Sequence, residues 1–194
     1  MIAAIVLSAG KSERMGSPKA LLRHGGKTFL ESTVDAVRTS SLGQAIVVLG
    51  HHRDEIVAAL DLPGYVYNPD YEQGMTTSFQ AGIRALEADA VGAMLFLVDH
   101  PIPDVRTIEA LVRAFRPGHV VVPVFDGRRG HPVLFSRELL EEILLLPPDT
   151  GANTVVRRDS ERVIQVVVPD AGVLEDIDTP EQFNDWTRRS GDSF

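Results

Sequence analysis

Residues 2–7 (IAAIVL), 45–49 (AIVVL) and 93–98 (AMLFLV) are apolar at nearly every position, with no alternating polar face. A strand of that kind is buried on both sides, as happens in a parallel sheet covered by helices front and back. Strand patterns at 3–7, 45–49, 64–67, 93–98, 119–124, 132–135 and 163–168 alternate with amphipathic, helix-length stretches. The helices are expected near 28–39, 53–60, 75–86, 104–114, 136–145 and 180–189, with Ser136 and Thr179 as N-caps. This alternation predicts a three-layer α/β/α fold around a mostly parallel sheet. Gly127-Arg128-Arg129-Gly130-His131-Pro132 breaks the rhythm and predicts a hairpin-like insertion on the sheet.

The 194 residues suffice for one good core, so residues 1–189 read as a single domain and 190–194 as a loose tail. No apolar run is long enough to span a bilayer, and the start lacks the pattern of a secretory signal. The expected location is the cytoplasm, away from membranes. With no cysteine, disulfides, thiolate metal sites and thiol nucleophiles are excluded, leaving oxygen and histidine ligands for any metal. A net charge of −8 argues against nonspecific nucleic-acid binding, so any anion site must be local.

Such a site is predicted directly after the first strand. In Ser8-Ala9-Gly10-Lys11-Ser12-Glu13-Arg14-Met15-Gly16-Ser17-Pro18-Lys19, the glycines let backbone N–H groups face a ligand, Arg14 offers a bidentate grip and Lys19 adds a point charge. The loop fits neither G-x-x-x-x-G-K-[ST] nor G-x-G-x-x-G. Ligands of open α/β sheets gather at the carboxyl ends of strands. Those ends lead here to Ser8-Ala9-Gly10, Asn68-Pro69-Asp70, Asp99-His100-Pro101 and, after a further turn, Asp176-Ile177-Asp178.

Leu7-Ser8-Ala9-Gly10-x-Ser12-x-Arg14-Met15-Gly16-x-Pro18-Lys19 resembles the signature loop of the nucleotidyltransferases of molybdenum-cofactor biosynthesis. Asn68-Pro69-x-Tyr71-x-x-Gly74-Met75-x-x-Ser78-Phe79, Leu97-x-Asp99-x-Pro101, Arg129-Gly130-His131-Pro132-Val133-Leu134-Phe135 and Asp176-Ile177-Asp178-Thr179-Pro180-Glu181 are similar to further motifs of that family. The Gly-Met-x-x-Ser and Gly-His-Pro-Val-Leu-Phe elements match its cytidylyltransferase branch best. The resemblance implies a Rossmann-like sheet of the nucleotide-diphospho-sugar transferase type. It also implies transfer of CMP from CTP to a phosphorylated small molecule, with molybdopterin as the expected acceptor and a molybdoenzyme or chaperone as partner for the product.

On that reading Leu7, Ser8, Ala9, Gly10 and Ser12 lie along the nucleotide, Arg14 and Lys19 neutralise its phosphates, and Asn68, Gly74 and Ser78 meet base and ribose. Asp99 ends an apolar strand, where a carboxylate suits Mg2+ between triphosphate oxygens, with Asp178 as second ligand and Asp176 close behind it. The same aspartates could cap the helices that follow them, and Ser78 could simply cap its own. His131 and Asn153 are implied at the acceptor, although the family pattern Asp-x-Gly-Ala-Arg has Asn153 in place of its arginine. His100 stands where relatives tend to have Gln or Met and reads as a polar loop residue. Three alternatives stand beside the main one: a guanylyltransferase of the same pathway, an enzyme like methylerythritol-phosphate cytidylyltransferase, and a nucleotide-binding regulator or chaperone without turnover.

Overall fold

The computed structural model describes residues 1–62, 64–100 and 104–191; Pro101 of the strand-end motif and residues 192–194 of the expected tail lie outside them. In chain order the strands are β1 (Ile2–Ser8), β2 (Arg23–His24), β3 (Lys27–Thr28), β4 (Ala45–Leu49), β5 (Val66–Tyr67), β6 (Gly92–Leu97), β7 (Val120–Phe125), β8 (Arg128–Arg129), β9 (Val133–Ser136) and β10 (Val163–Val167). The α-helices are α1 (Phe29–Thr39), α2 (Arg53–Ala59), α3 (Met75–Arg84), α4 (Val105–Arg113), α5 (Arg137–Leu144), α6 (Asn153–Arg158) and α7 (Pro180–Ser190).

The main sheet runs β10-β7-β9-β6-β1-β4-β5, with β8 paired to β7. β1 pairs in parallel with both β4 and β6, β5 with β4, and β10 with β7. Among the described residues of this sheet, only β8 and β9 run antiparallel, β9 slotting between β6 and β7. The mostly parallel Rossmann-like sheet and the insertion after Asp126 are therefore as expected from the sequence.

Successive side chains of a strand face opposite sides, and the core divides accordingly. Ala4 and Val6 of β1 join Phe29, Leu30, Val34, Ile56, Ile108 and Leu111 on one face. Ala3, Ile5 and Leu7 join Phe79, Ile83, Leu139, Leu140 and Ile143 on the other. β1 needs an apolar residue at each of these positions because both of its faces are roofed.

Several local expectations are corrected. Thr28 is the N-cap of α1 rather than its first residue, because its hydroxyl accepts from the Glu31 amide and the Glu31 carboxylate accepts in return. Thr179 caps α7 in the same reciprocal way with Gln182. Ser136 occupies the N-cap of α5 as expected, but its buried hydroxyl makes no capping bond. The β2–β3 hairpin and α6 were not foreseen. Each is too short to carry a readable period, with two-residue strands in one and six residues in the other. α7 extends through Ser190, one residue into the expected tail.

Candidate active site

The carboxyl ends of β1, β4 and β6 open onto a cleft of about 450 Å³. Leu7, Ser8, Ala9, Gly10, Ser12, Arg14, Lys19, Ser78, Asp99 and Asp178 all line it. The opening loop folds back on itself, with the Ser12 carbonyl accepting from the amides of Met15 and Gly16 and the Ser12 hydroxyl from the Lys19 amide. Ser12 pays for that turn with a φ of 52°. A side chain at Gly50 would stand 2.5 Å from the Ala9 carbonyl oxygen, so the loop can cross the end of β4 only over a glycine.

The loop delivers its cations to carboxylates from distant segments. The Lys19 ammonium, 11% exposed, donates to Asp99 Oδ2 at 3.1 Å and to Asp178 Oδ1, while Arg14 reaches Asp178 Oδ2 at 2.5 Å. Burial works against the charge on Lys19, but the hydrogen bond to Asp178 and the pull of Asp99 outweigh it and leave its pKa above the ordinary lysine value. The Lys19 hydrogen bond likewise holds the Asp178 carboxyl below its usual range, against some burial and with help from Arg14. Asp176 is shifted the other way, by burial first and then by the like charges of Asp99 and Asp178.

Four expected site residues do not line the cleft. Asn68, expected at the base, is 3% exposed and spends its amide on the hydroxyls of Thr77 and Ser78, both at 2.9 Å. It aims Ser78 rather than facing the cleft itself. Gly74, with φ of 125°, turns the chain into α3 and sits against the Pro148 carbonyl. Asn153 opens α6 in the neighbouring loop, where Thr150 accepts a hydrogen bond from Thr76 at 2.7 Å. His131 packs against His100, the two rings tilted by 41° with centroids 4.7 Å apart. Burial, reinforced by His100, pushes the His131 pKa down to about 4, and burial also lowers that of His100.

The sequence reading missed His52, which follows β4, in the wall of the cleft. His52 lines the cleft and bonds the Lys11 carbonyl at 2.9 Å, and Tyr71 and Met75 complete that side. Lys11 bridges to Glu72 at 2.8 Å across the rim. The strand-end rule, applied to Gly50-His51-His52 as it was to the other strands, would have found this wall.

A strand-end cleft with a glycine turn, two cations and facing carboxylates, on a mostly parallel α/β sheet, defines an enzyme of the nucleotidyltransferase class. Residues 4–163 match the MobA-like NTP transferase domain, and the chain belongs to that family. It is 28% identical over 185 residues to the molybdenum cofactor cytidylyltransferase of Escherichia coli, covering 92% of each chain. It is 29% identical over 192 residues to the nicotine blue oxidoreductase of Paenarthrobacter nicotinovorans, covering 93% of this chain and 94% of that one. The crystal structure of Rv0371c from Mycobacterium tuberculosis shares the fold with a TM-score of 0.85 and 27% identity, over 97% of this chain and 98% of that one. The same protein has been solved in complex with manganese, at a TM-score of 0.80 and 26% identity, over 96% of this chain and 98% of that one. Among the described residues, no helix is long and apolar enough to cross a membrane.

Proposed function

We propose that residues 1–189 form a single catalytic unit, a divalent-metal-dependent cytidylyltransferase that moves CMP from CTP onto the phosphate of a small molecule, molybdopterin being the first acceptor to test. The observation that carries this reading is the meeting of Lys19 and Arg14 with Asp99 and Asp178 over the cleft. A triphosphate needs such cations, and its divalent ion needs such carboxylates. The oxygen donors of Asp99 and the 176–178 segment suit a hard divalent ion, and Mg2+ is the first to supply in the test. Bound there, it would neutralise charge on the phosphate oxygens.

Leu7 to Gly10 and Ser12 would run along the phosphates, with backbone N–H groups of the loop as donors. Arg14 and Lys19, anchored by Asp178, would turn their remaining N–H groups to the phosphates and hold them in line. Ser78, fixed by Asn68, would meet the ribose or base beside Met75 and Tyr71. An acceptor phosphate oxygen then forms a bond to the α-phosphorus while the bond from that phosphorus to the bridging oxygen breaks. The electron pair leaves with pyrophosphate. No covalent enzyme intermediate is needed, so positioning and charge neutralisation supply the acceleration. His131 and Asn153 would lie on the acceptor's approach.

The test is a thermal-shift panel of CTP, GTP, ATP and UTP with and without Mg2+, followed by pyrophosphate release with acceptor, since a ligand of the native state raises apparent stability. A metal-dependent shift with CTP supports the proposal, and one with GTP alone replaces it by guanylyl transfer. A shift without turnover on any acceptor favours a nucleotide-binding regulator. Similarity to the nicotine blue oxidoreductase motivates a second reading, redox chemistry on the same fold, which a panel without any shift would favour.

A further inference from the structure

We infer that the divalent ion is held by Asp99, His100 and Asp176, with an imidazole nitrogen completing a mixed ligand set, while Asp178 serves as the anchor of Lys19 and Arg14. The inference rests on the nucleotidyl-transfer reading for the ion's task, but the ligand set itself follows from the side chains.

One potential ligand atom from each of Asp99, His100 and Asp176 lies within 4.8 Å of the other two. Donors around one small divalent ion stand about 3–4 Å apart, given metal–donor distances near 2.1 Å, so a slight closure of these side chains completes the set. Asp178 is differently placed. Its Oδ1 receives Lys19 and its Oδ2 receives Arg14, whereas Asp176 forms no ion pair among the described residues. Ile177, 2% exposed, sends its side chain into the core between these two aspartates.

The three groups are brought together by backbone ties. The Ile177 amide donates to the Asp99 carbonyl at 2.9 Å, which fixes the 176–178 segment against the end of β6. The His131 amide donates to the Val173 carbonyl at 2.8 Å, setting the His131 ring against His100. That approach requires Gly130, because a Cβ there would stand 2.1 Å from the Val173 oxygen. The histidines are correspondingly confined, and the Nδ1 atoms of His100 and His131 are both buried without a hydrogen-bond partner. A buried polar nitrogen left unpaired is costly, and coordination, or a group brought in by the ligand, would satisfy it.

The chemical consequence is selectivity. Mg2+ prefers oxygen donors alone, whereas first-row transition-metal ions such as Co2+ and Zn2+ accept imidazole readily, and Mn2+, a carboxylate binder, tolerates one nitrogen beside its oxygens. A cytidylyltransferase with this set would bind a transition-metal ion before any nucleotide arrives and would favour Mn2+ over Mg2+.

The test is metal binding by the full metal-free chain without nucleotide, comparing wild type with His100→Gln, Asp176→Asn and Asp178→Asn. Mn2+ affinity is measured by equilibrium dialysis, nitrogen ligation by the visible absorption of bound Co2+, and folding of each variant by circular dichroism. The expected result is a Mn2+ affinity at least about 10-fold lower in His100→Gln and Asp176→Asn, the smallest loss typical of disturbing a ligand shell. Co2+ should lose its nitrogen-donor spectrum in His100→Gln, and Asp178→Asn should bind both ions like wild type. Should His100→Gln fold poorly, substoichiometric Mn2+ added to wild type must broaden the His100 ring signals before those of His119. Wild-type affinity in His100→Gln, dominance of Asp178 over Asp176, or His100 signals no more broadened than those of His119 would overturn the assignment. Mn2+ held by the three groups, with no pyrophosphate released from any nucleoside triphosphate, would keep the site and remove the nucleotidyl-transfer reading. CTP turnover with unaltered metal affinity in His100→Gln would do the reverse.

Discussion

Beside β1, Lys19 divides its ammonium between two carboxylates and Asn68 gives both amide protons to hydroxyls of α3, whereas beside β9 the Nδ1 atoms of His131 and His100 are buried with no partner. The difference lies in what does the positioning. On the β1 side, side chains from segments far apart in sequence hold one another, so the cleft is charge-balanced before a ligand enters. On the β9 side, the antiparallel insertion and the Gly130–Val173 contact set the geometry through the backbone, and the side chains keep unspent bonding capacity. Arg128 and Arg129 on β8 are exposed and form no ion pair among the described residues. The first arrangement suits a polyanion whose shape is known in advance, the second an acceptor and an ion that supply the missing partners.

The largest expected effect breaks the β1 side. Lys19→Ala removes the group that touches both Asp99 and Asp178, and kcat/KM for pyrophosphate release should fall about 10²–10³-fold, as when one preorganised donor to developing charge is lost. The nucleotide-induced thermal shift should vanish with it. A loss below tenfold in steady-state assays would mean that this lysine belongs to the fold rather than to the phosphates.

The next effect separates the two sides by pH, and metal-free protein is the sample to use. With a folded pKa of about 4 against an ordinary 6.5, His131 stays neutral in the native state while the unfolded chain takes up a proton. Its penalty is absent above about pH 6.5 and grows as pH falls, levelling below about pH 4 at no more than roughly 3 kcal/mol. The neighbours that tune it are His100, which lowers its pKa further, and Asp99, which opposes that. Asp178 acts in the same sense but in a more acidic window. Its carboxyl is held down by Lys19, so its contribution is present above the ordinary carboxylate pKa and is lost only in stronger acid, as pH falls through the lowered value. Denaturation of His131→Phe and Asp178→Asn across pH 3–7 should flatten two separate windows, the histidine variant between 6.5 and 4 and the aspartate variant below it.

How much of this was legible in the sequence differs between the two sides for the same physical reason. Continuous burial left an unmistakable mark on β1, β4 and β6, and the loop after β1 carries its glycines and cations in one contiguous stretch. Ten of the residues expected at the nucleotide or its metal do line the cleft. The placement of Asn68 was not legible, because an amide beside a strand end reads alike whether it faces a base or props up a serine. The His100–Asp176 approach was hidden for a different reason. It depends on a backbone bond between residues 99 and 177 and on the missing Cβ of Gly130, and neither leaves a periodic trace.

The smallest expected effect probes the joint between the two sides. Asp178 reaches the cleft from the segment leading into α7, with Asp176 beside it, and that helix begins with a reciprocal cap. The Thr179 hydroxyl accepts from the Gln182 amide at 3.3 Å, while Gln182 Oε1 accepts from the amides of Asp178 and Thr179 at 2.7 and 2.9 Å. Thr179→Ala removes only the first of these bonds and should cost about 1 kcal/mol. For a chain of this size that is about 2–4 °C in Tm, readable by calorimetry. Because Gln182 still holds the Asp178 amide, Lys19 and Arg14 should keep their anchor and the KM for nucleotide should not move. A rise in that KM without further loss of stability would show that the cap sets the aim of Asp178, placing part of the positioning on the β1 side in the backbone as well.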